Sequence, residues 1–368
     1  MTGKFTFHTS EGKVVAAVAR RARCSFGLRR PFFCGFMTLP VRHRAAVKPT
    51  ASLSPLLTPR AVRRSEPHVA AVIVHYGDPE LALRALAALN RSRNVVVSPL
   101  LVDNSARGSV ALRRQVEAAD GFYLHYPENL GFAGGANAGL RHARSRLFDA
   151  LIVLNSDVEV GRRCLERLVL ALDRQPSLGV VGPALYFATD PRRYWNRGSR
   201  VHWPAARPAS LSHGDRRCSV DVDRFAVDFV CGALLAMRPR VFEAVGELSE
   251  DYFLYFEDAD YCYRVRQRGW AVAIEPRARA WHRGGGSTSG TDVPDLYYRT
   301  RNRLFLSAAW NPLPVRGRLT RVAFLLQSSA KALRRLLSGR RREASLLWAA
   351  MRDYCLGRGG RIPSSERV

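Results

Sequence analysis

No two of the seven cysteines stand in a CxxC spacing, and their odd number leaves no complete disulfide framework. Cys24, Cys34, Cys164, Cys218, Cys231, Cys262 and Cys355 are scattered, which argues against a cysteine-held zinc ion and for a reducing compartment. No apolar run reaches the roughly 18 residues of a membrane-spanning helix. The opening stretch, MTGKFTFHTSEGKVVAAVARRARCSFGLRR, lacks the apolar block of a secretory signal. Its Arg-rich, acid-poor character fits a transit peptide, a flexible basic arm or an upstream extension, and these stay open. No GK[ST] follows the glycines, so a Walker loop is excluded, and the absence of GxGxxG after the first strand speaks against a dinucleotide-binding oxidoreductase. No internal repeat is present.

Acid is scarce as well: 31 Asp and Glu face 58 Lys and Arg, for a formal net charge of +27. Residues 1–65 hold thirteen Lys/Arg and a single acid, Glu11. A second basic run lies in 313–342, with Arg316, Arg318, Arg321, Lys331, Arg334, Arg335, Arg340, Arg341 and Arg342. Such a balance suits nucleic acid or an anionic membrane surface, or simply reflects an Arg-rich bias with solvated faces. No RNA- or DNA-binding motif accompanies it, and the aromatics fall in apolar runs, so no nucleic-acid partner is expected. Within the run, AFLLQSSAKALRRLL reads as an amphipathic, cationic helix suited to an anionic lipid surface, or as a helix packed on the domain with a solvated Arg face.

What is plentiful is apolar sequence, 47% of 368 residues, enough to bury a core of about two domains or one large α/β domain. VAAVIVHY (69–76) is a continuous β-branched run of the kind a buried parallel strand shows. Helix is expected over 79–92, opened by Pro79, then strand over 95–105, helix over 109–119, strand over 122–129 and helix over 132–146. Strand returns over 150–157 and helix over 164–175. From 180 to 230 the pattern loosens into Pro- and Arg-rich connections. FAVDFVCGALLAMRP (225–239) and WAVAIEPRARAWH (270–282) restore strand-like runs around the helical EDADYCYRVRQRG (257–269). This alternation predicts an α/β fold: a mostly parallel central sheet with helices on both faces.

Ligands of such sheets gather beyond the carboxyl ends of the strands. Those ends here carry His75-Tyr76, Asp103-Asn104 and Asn155-Ser156-Asp157. NLGFAGGANAG (129–139), with Gly131, Gly134, Gly135 and Gly139, offers a helix N-terminus of little bulk, where backbone amides could meet phosphates or the helix could pack tightly on the sheet. Glu257, Asp258 and Asp260 open another helix. The helix dipole accounts for one acid there; crowding of adjacent carboxylates is the arrangement that tunes an acid or base. His282 ends an apolar run before GGGSTSG, a tract able to close like a lid, and a neutral imidazole suits a divalent metal already held by an aspartate.

IVHY, LVDNS, ENLGFAGGANAG, LIVLNSDV, GELSEDYFLYFEDADYCYRVRQRGW, WHRGGGST and YYRTRNRLF occur in one order. Together they resemble family 2 glycosyltransferases, in particular the bacterial branch with rhamnosyltransferases and galactofuranosyltransferases, over roughly 68–310, and LLWAAMRDYCLGRGGR (346–361) resembles that branch's closing segment. The resemblance implies a GT-A fold with a nucleotide-sugar half (67–178) and an acceptor half (179–300), a basic extension before it (1–66) and a helical, basic segment after it (301–368). It implies an inverting transfer from a nucleoside-diphosphate sugar, such as dTDP-rhamnose, to a glycan or lipid-linked acceptor of the cell envelope. The enzyme would be cytoplasmic, peripheral on the inner face of the membrane. By the same resemblance His75 and Asp103 sit at the donor's base, and Asn129, Gly134 and Asn137 line its ribose and diphosphate. Asn155 and Ser156 lead to Asp157, which with His282 would hold Mg²⁺ or Mn²⁺. Asp258, second of the Glu257-Asp258 pair, would be the general base, and Arg301 and Asn302 would help close the site. Asn155 departs from the usual first aspartate of the triplet, so the ion would bind weakly until the diphosphate arrives.

Overall fold

The computed structural model describes residues 66–144, 146–216, 225–284 and 293–363. The basic segment 1–65 and the glycine tract 285–290 lie outside the described residues. In chain order the elements are β1 (His68–His75), α1 (Pro79–Asn90), β2 (Val96–Asp103), α2 (Val110–Glu117), β3 (Phe122–His125), α3 (Gly131–Arg144), β4 (Ala150–Asn155), β5 (Val158–Val160), α4 (Cys164–Arg174) and β6 (Leu178–Phe187). There follow β7 (Tyr194–Asn196), β8 (Ser199–His202), β9 (Arg207–Ser210), β10 (Phe225–Ala226), β11 (Leu234–Met237), α5 (Pro239–Val245), α6 (Glu257–Gln267), β12 (Ala271–His282), α7 (Val293–Trp310), α8 (Pro314–Leu337) and α9 (Arg341–Cys355).

Local chemistry starts the helices where expected. The Asp78 carboxylate accepts the Glu80 amide and Pro79 occupies the first turn of α1, while the Ser109 hydroxyl caps α2 through Leu112. The large sheet runs β10-β12-β6-β11-β4-β1-β2-β3. β4, β1, β2 and β3 are mutually parallel, and β12 is parallel to β6, but β11 lies antiparallel between β4 and β6. The pleat sends Val69, Ala71 and Ile73 into a core with α1, α2 and α4, and Ala70, Val72 and Val74 into one with α3 and α6. Each fully buried Val, Leu or Ile in these layers contributes about 1.5–3 kcal/mol. A third cluster joins Phe253 to Tyr297, Tyr298, Leu346 and Ile362, tying α7, α9 and the tail to the loop before α6.

Three sequence expectations need correction. The loosened stretch after 180 contains β6, ten residues long and buried between β11 and β12. Its LGVVGPALYF pattern was masked by Gly179, Gly182 and Pro183; a Cβ on Gly182 would lie 2.3 Å from Val230, so only glycine fits that approach. The run 225–239 is two strands, β10 and β11, separated by a loop that carries Cys231 and Gly232. The division at 300/301 falls inside α7.

Candidate active site

Parallel pairing aligns the strand ends: His75 is opposite Asp103, and Val74 opposite Asn155. His75 is fully buried, with Nδ1 3.2 Å from the Ser156 hydroxyl, and burial lowers its pKa against the pull of Asp103, which keeps the ring neutral. Asp103 is buried too. Burial pushes its pKa up, but the Tyr123 hydroxyl at 2.6 Å and the Ser105 amide at 2.9 Å outweigh this and hold it below the usual range. Tyr123 is itself pushed up to about 12, by burial and by that bond. Both residues shape the turn after β2 from beneath the surface.

The glycine-rich helix departs from expectation. The Asn129 side chain accepts the Gly131 amide at 2.8 Å, and the amides of Phe132 and Ala133 both donate to the Phe253 carbonyl, at 2.8 and 3.4 Å. The leading amides of α3 are thus taken by protein oxygens rather than left for phosphates. Gly135 and Gly139 press on the sheet, where added Cβ atoms would come within 2.8 Å of Asn104 and 2.3 Å of Val72. Gly134 faces Leu130 and Glu250. Asn137 donates to the Leu248 carbonyl and to Glu250, and accepts the Leu248 amide, all at 2.9 Å. Gly134 and Asn137 therefore pack α3 against residues 248–250, a role that the sequence did not show.

At the end of β4 the Asn155 amide donates to the Ala233 carbonyl, and the Ser156 amide to Val74. Antiparallel pairing of β5 with β12 sets His282 opposite Val158, so Asp157 meets it from across the sheet. Asp157 Oδ1 and His282 Nε2 lie 3.3 Å apart, both side chains less than a tenth exposed. A charge-assisted hydrogen bond is shorter, about 2.7–2.9 Å. Two ligand atoms on one octahedral ion with bonds of about 2.1 Å stand about 3 Å apart, so the pair fits a shared divalent cation. The Trp195 ring lies against the imidazole, tilted by 34° with centroids 4.1 Å apart, and Nδ1 is buried with no hydrogen-bond partner among the described residues. Among the described residues no three His, Cys, Asp or Glu side chains converge on one metal position.

The three acids of α6 have separate fates. Asp260 pairs with Arg264 at 2.8 Å and accepts the Trp310 indole N–H at 2.8 Å. Asp258 accepts the amides of Gly232 at 2.8 Å and Ala259 at 2.7 Å. Burial raises its pKa, opposed by those amides and by Arg299. Glu257 is raised well above the carboxylate range, by burial first and by Asp258 next, and its Oε2 has no partner. The Cys231 thiol is held neutral chiefly by burial; the residues after it touch both carboxylate segments, Gly232 through Asp258 and Ala233 through the Asn155 amide.

A family model described as glycosyltransferase like family 2 matches residues 67–304. The chain belongs to this family. Across 75% of its length, and 96% of the relative's, it is 26% identical to the N-acetylglucosaminyl-diphospho-decaprenol L-rhamnosyltransferase of Mycobacterium tuberculosis. It is 24% identical to the dTDP-rhamnosyl transferase RfbF of Shigella flexneri over 70% of this chain and 86% of that one. The crystal structure of GalNAc-T7 with UDP, GalNAc and Mn²⁺ superposes with a TM-score of 0.52 at 16% identity, over 65% of this chain and 48% of that one; the fold is GT-A.

In this glycosyltransferase the loop before α6 has a conformation that the sequence did not show. Phe253, Tyr255 and Phe256 have left-handed φ values of 61°, 68° and 75°, strained for bulky aromatics. Asn302 holds that loop by donating to the carbonyls of Tyr252, Leu254 and Tyr255 at 2.8–2.9 Å. Arg301, fully buried, donates to Asp251 at 2.9 Å and Gly360 at 2.8 Å, and its Nε donates to Asn302. Arg301 and Asn302 lock the turn that leads into Glu257 and Asp258. Cys231, Gly232 and Trp195 carry no sequence pattern that marks them. A groove of about 790 Å³ opens near the start of β12, lined by Arg200, Trp203, Arg266 and Trp270; none of the predicted site residues borders it.

Proposed function

We propose that this glycosyltransferase is inverting and metal-dependent, and moves rhamnose from dTDP-rhamnose to a lipid-linked glycan acceptor in cell-envelope synthesis, working at the inner face of the membrane. The observation that carries the reading is one short segment, Cys231–Ala233. Its Gly232 amide holds the Asp258 carboxylate, and its Ala233 carbonyl receives the Asn155 amide next to the Asp157–His282 pair. The named activities of the Mycobacterium tuberculosis and Shigella flexneri relatives support the choice of donor and acceptor.

In this reading Asp258 accepts the proton of the acceptor hydroxyl as its oxygen bonds to the anomeric carbon. The bond from that carbon to the diphosphate breaks on the opposite face, and the nucleoside diphosphate leaves. A positioned base of this kind contributes about 10²–10⁴-fold. Burial raises the pKa of Asp258 and so makes it the stronger base, while the Gly232 and Ala259 amides aim it. Asp157 and His282 would hold the divalent ion, whose Lewis acidity offsets charge on the departing diphosphate. Single displacement requires base and leaving group on opposite sides of the sugar, which fits their placement on α6 and at the ends of β4 and β12.

The test is transfer from a panel of nucleotide sugars, dTDP-rhamnose and UDP-galactofuranose included, to a polyprenyl-diphospho-sugar acceptor. Expected are rhamnosyl transfer with inverted anomeric configuration, loss on chelation, and loss in Asp157→Ala and Asp258→Asn. Retained configuration would overturn the single displacement, and full turnover under chelation would overturn the metal. Normal turnover of Asp258→Asn would remove the base assignment.

A further inference from the structure

α8 turns an apolar stripe to solvent. Val315, Leu319, Val322, Leu326, Leu333 and Leu337 are 70, 65, 55, 66, 52 and 78% exposed. Their spacings of three, four or sums of these place all six on one face, which runs about 33 Å at 1.5 Å per residue. The opposite face is the packed one: Gly317, Ser328 and Ala332 are buried and Arg321 donates to the Ser307 carbonyl, while Ser329, at one edge of the stripe, touches Met351 of α9. The helix is thus already anchored to α7 and α9, and the stripe is left over.

The charges beside the stripe identify what covers it. Within α8 there is no Asp or Glu. At 3.6 residues per turn, Arg316 and Arg334 lie about 80° to one side of the stripe and Arg318 about 80° to the other. All three are exposed and form no ion pair among the described residues. Long cationic side chains flanking an apolar strip suit an interface in which the strip enters acyl chains and the guanidinium groups reach up to phosphates. A second copy of the chain would bring the same cationic flanks together. The chain's own segment 1–65, with thirteen basic residues and one acid, carries the same sign. Among the described residues no helix is long and apolar enough to cross a membrane, so contact through a surface-lying helix is the mode this fold offers.

We infer that α8 lies in the headgroup region of an anionic bilayer, with the stripe from Val315 to Leu337 inserted and Arg316, Arg318 and Arg334 on lipid phosphates. The inference deepens the proposed work at a membrane face, yet stands on the geometry of α8 and not on the transfer chemistry.

Co-sedimentation of the full chain with phosphatidylcholine vesicles, with and without phosphatidylglycerol, tests it. Binding is expected only with the anionic lipid and should fall as salt is raised. The double variant Val322→Glu/Leu326→Glu should bind about 10-fold more weakly or worse. Each of Arg316→Glu and Arg334→Glu should cost about 5-fold or more. All four positions face solvent, so thermal midpoints should match the wild type; where the double variant is destabilised, the two arginine variants decide. Equal binding to neutral vesicles, no binding, or undiminished binding of the variants would overturn the inference. So would a dimer that the double variant converts to monomer, since the stripe would then be covered by a second copy. No sugar enters the assay, so a failed transfer reaction would leave this result untouched.

Discussion

The backbone amide of Gly232 donates to Oδ2 of Asp258 at 2.8 Å, and no bulkier residue fits at Gly232 without crowding. A Cβ there would lie 3.0 Å from Phe132 and 3.5 Å from the Asp258 Cβ. The proposed base is therefore aimed by a loop that also touches the end of β4, and its orientation depends on the metal side of the site.

Asp258→Asn keeps the volume and one hydrogen-bond acceptor but removes the basic oxygen. kcat is expected to fall about 10²–10⁴-fold with the donor KM little changed. Steady-state kinetics with a saturating acceptor check this, and Asp258→Glu should not restore the rate, because a longer side chain leaves the Gly232 amide unmatched.

The rate should rise with pH along an acid limb lying above the ordinary carboxylate pKa of about 4. Burial of Glu257 and Asp258 raises both pKa values, so the folded state holds more protons than the unfolded chain between those two ranges. Stability contributed by this pair is then full below the unfolded pKa and lost as pH climbs through the folded values. Thermal melts of Glu257→Gln against wild type should show the variant losing less stability over that window; parallel curves would remove the pair as the cause.

Removing either proposed metal ligand should act through the ion. With Mn²⁺ and a nucleoside diphosphate present together, wild-type protein should gain thermal stability, and neither component alone should match it. His282→Ala should raise the Mn²⁺ needed by about 10-fold or more, and Asp157→Ala should abolish the shift. An unchanged Mn²⁺ titration in both variants would place the ion elsewhere.

Asn302→Ala removes the donor to three carbonyls of the left-handed turn, of which that of Tyr252 keeps other partners, the Leu254 amide and Arg301, and should cost about 2–4 kcal/mol. Arg301→Lys cannot span Asp251 and Gly360 with one ammonium and should behave similarly. A purely structural role predicts lower stability with a normal pH profile at permissive temperature. A turn that relaxes should instead shift the acid limb, because Glu257 and Asp258 would leave their buried setting.

Much of the fold was legible from residues 68 to 175, where β1, β2 and β4 contain β-branched residues in apolar runs and α1 and α2 open on a side-chain cap, with Pro79 in the first turn of α1. Asp157, Asp258 and His282, the proposed ligands and base, stood out in the sequence because each lies at or beside the end of an element whose type the pattern made plain. β6 was not legible, because Gly182 and Pro183 serve a close approach to Val230 that lies outside the local pattern. The packing partners of Asn137 and of the leading amides of α3 were hidden for a related reason. Sequence shows that a small-residue helix can admit a ligand, but only the tertiary partners, Leu248 and Phe253, show that protein groups already fill those positions. The left-handed turn at Phe253–Phe256 leaves no local sign, since nothing in FLYF signals positive φ; Arg301 and Asn302, fifty residues on, impose it.

That turn also limits how far the protein is modular. The Phe253 carbonyl caps α3 in the first half, the Tyr252, Leu254 and Tyr255 carbonyls are bound by α7, and Arg301 reaches on to Gly360 near the tail. A recombination break between 178 and 179, the division expected from the sequence, would cut β6 after its first residue and separate α3 from the turn that caps it. Grafts would have to inherit residues 131–133, 251–258, 301–302 and 357–362 from one parent, as a set dispersed along the chain and contiguous only in space.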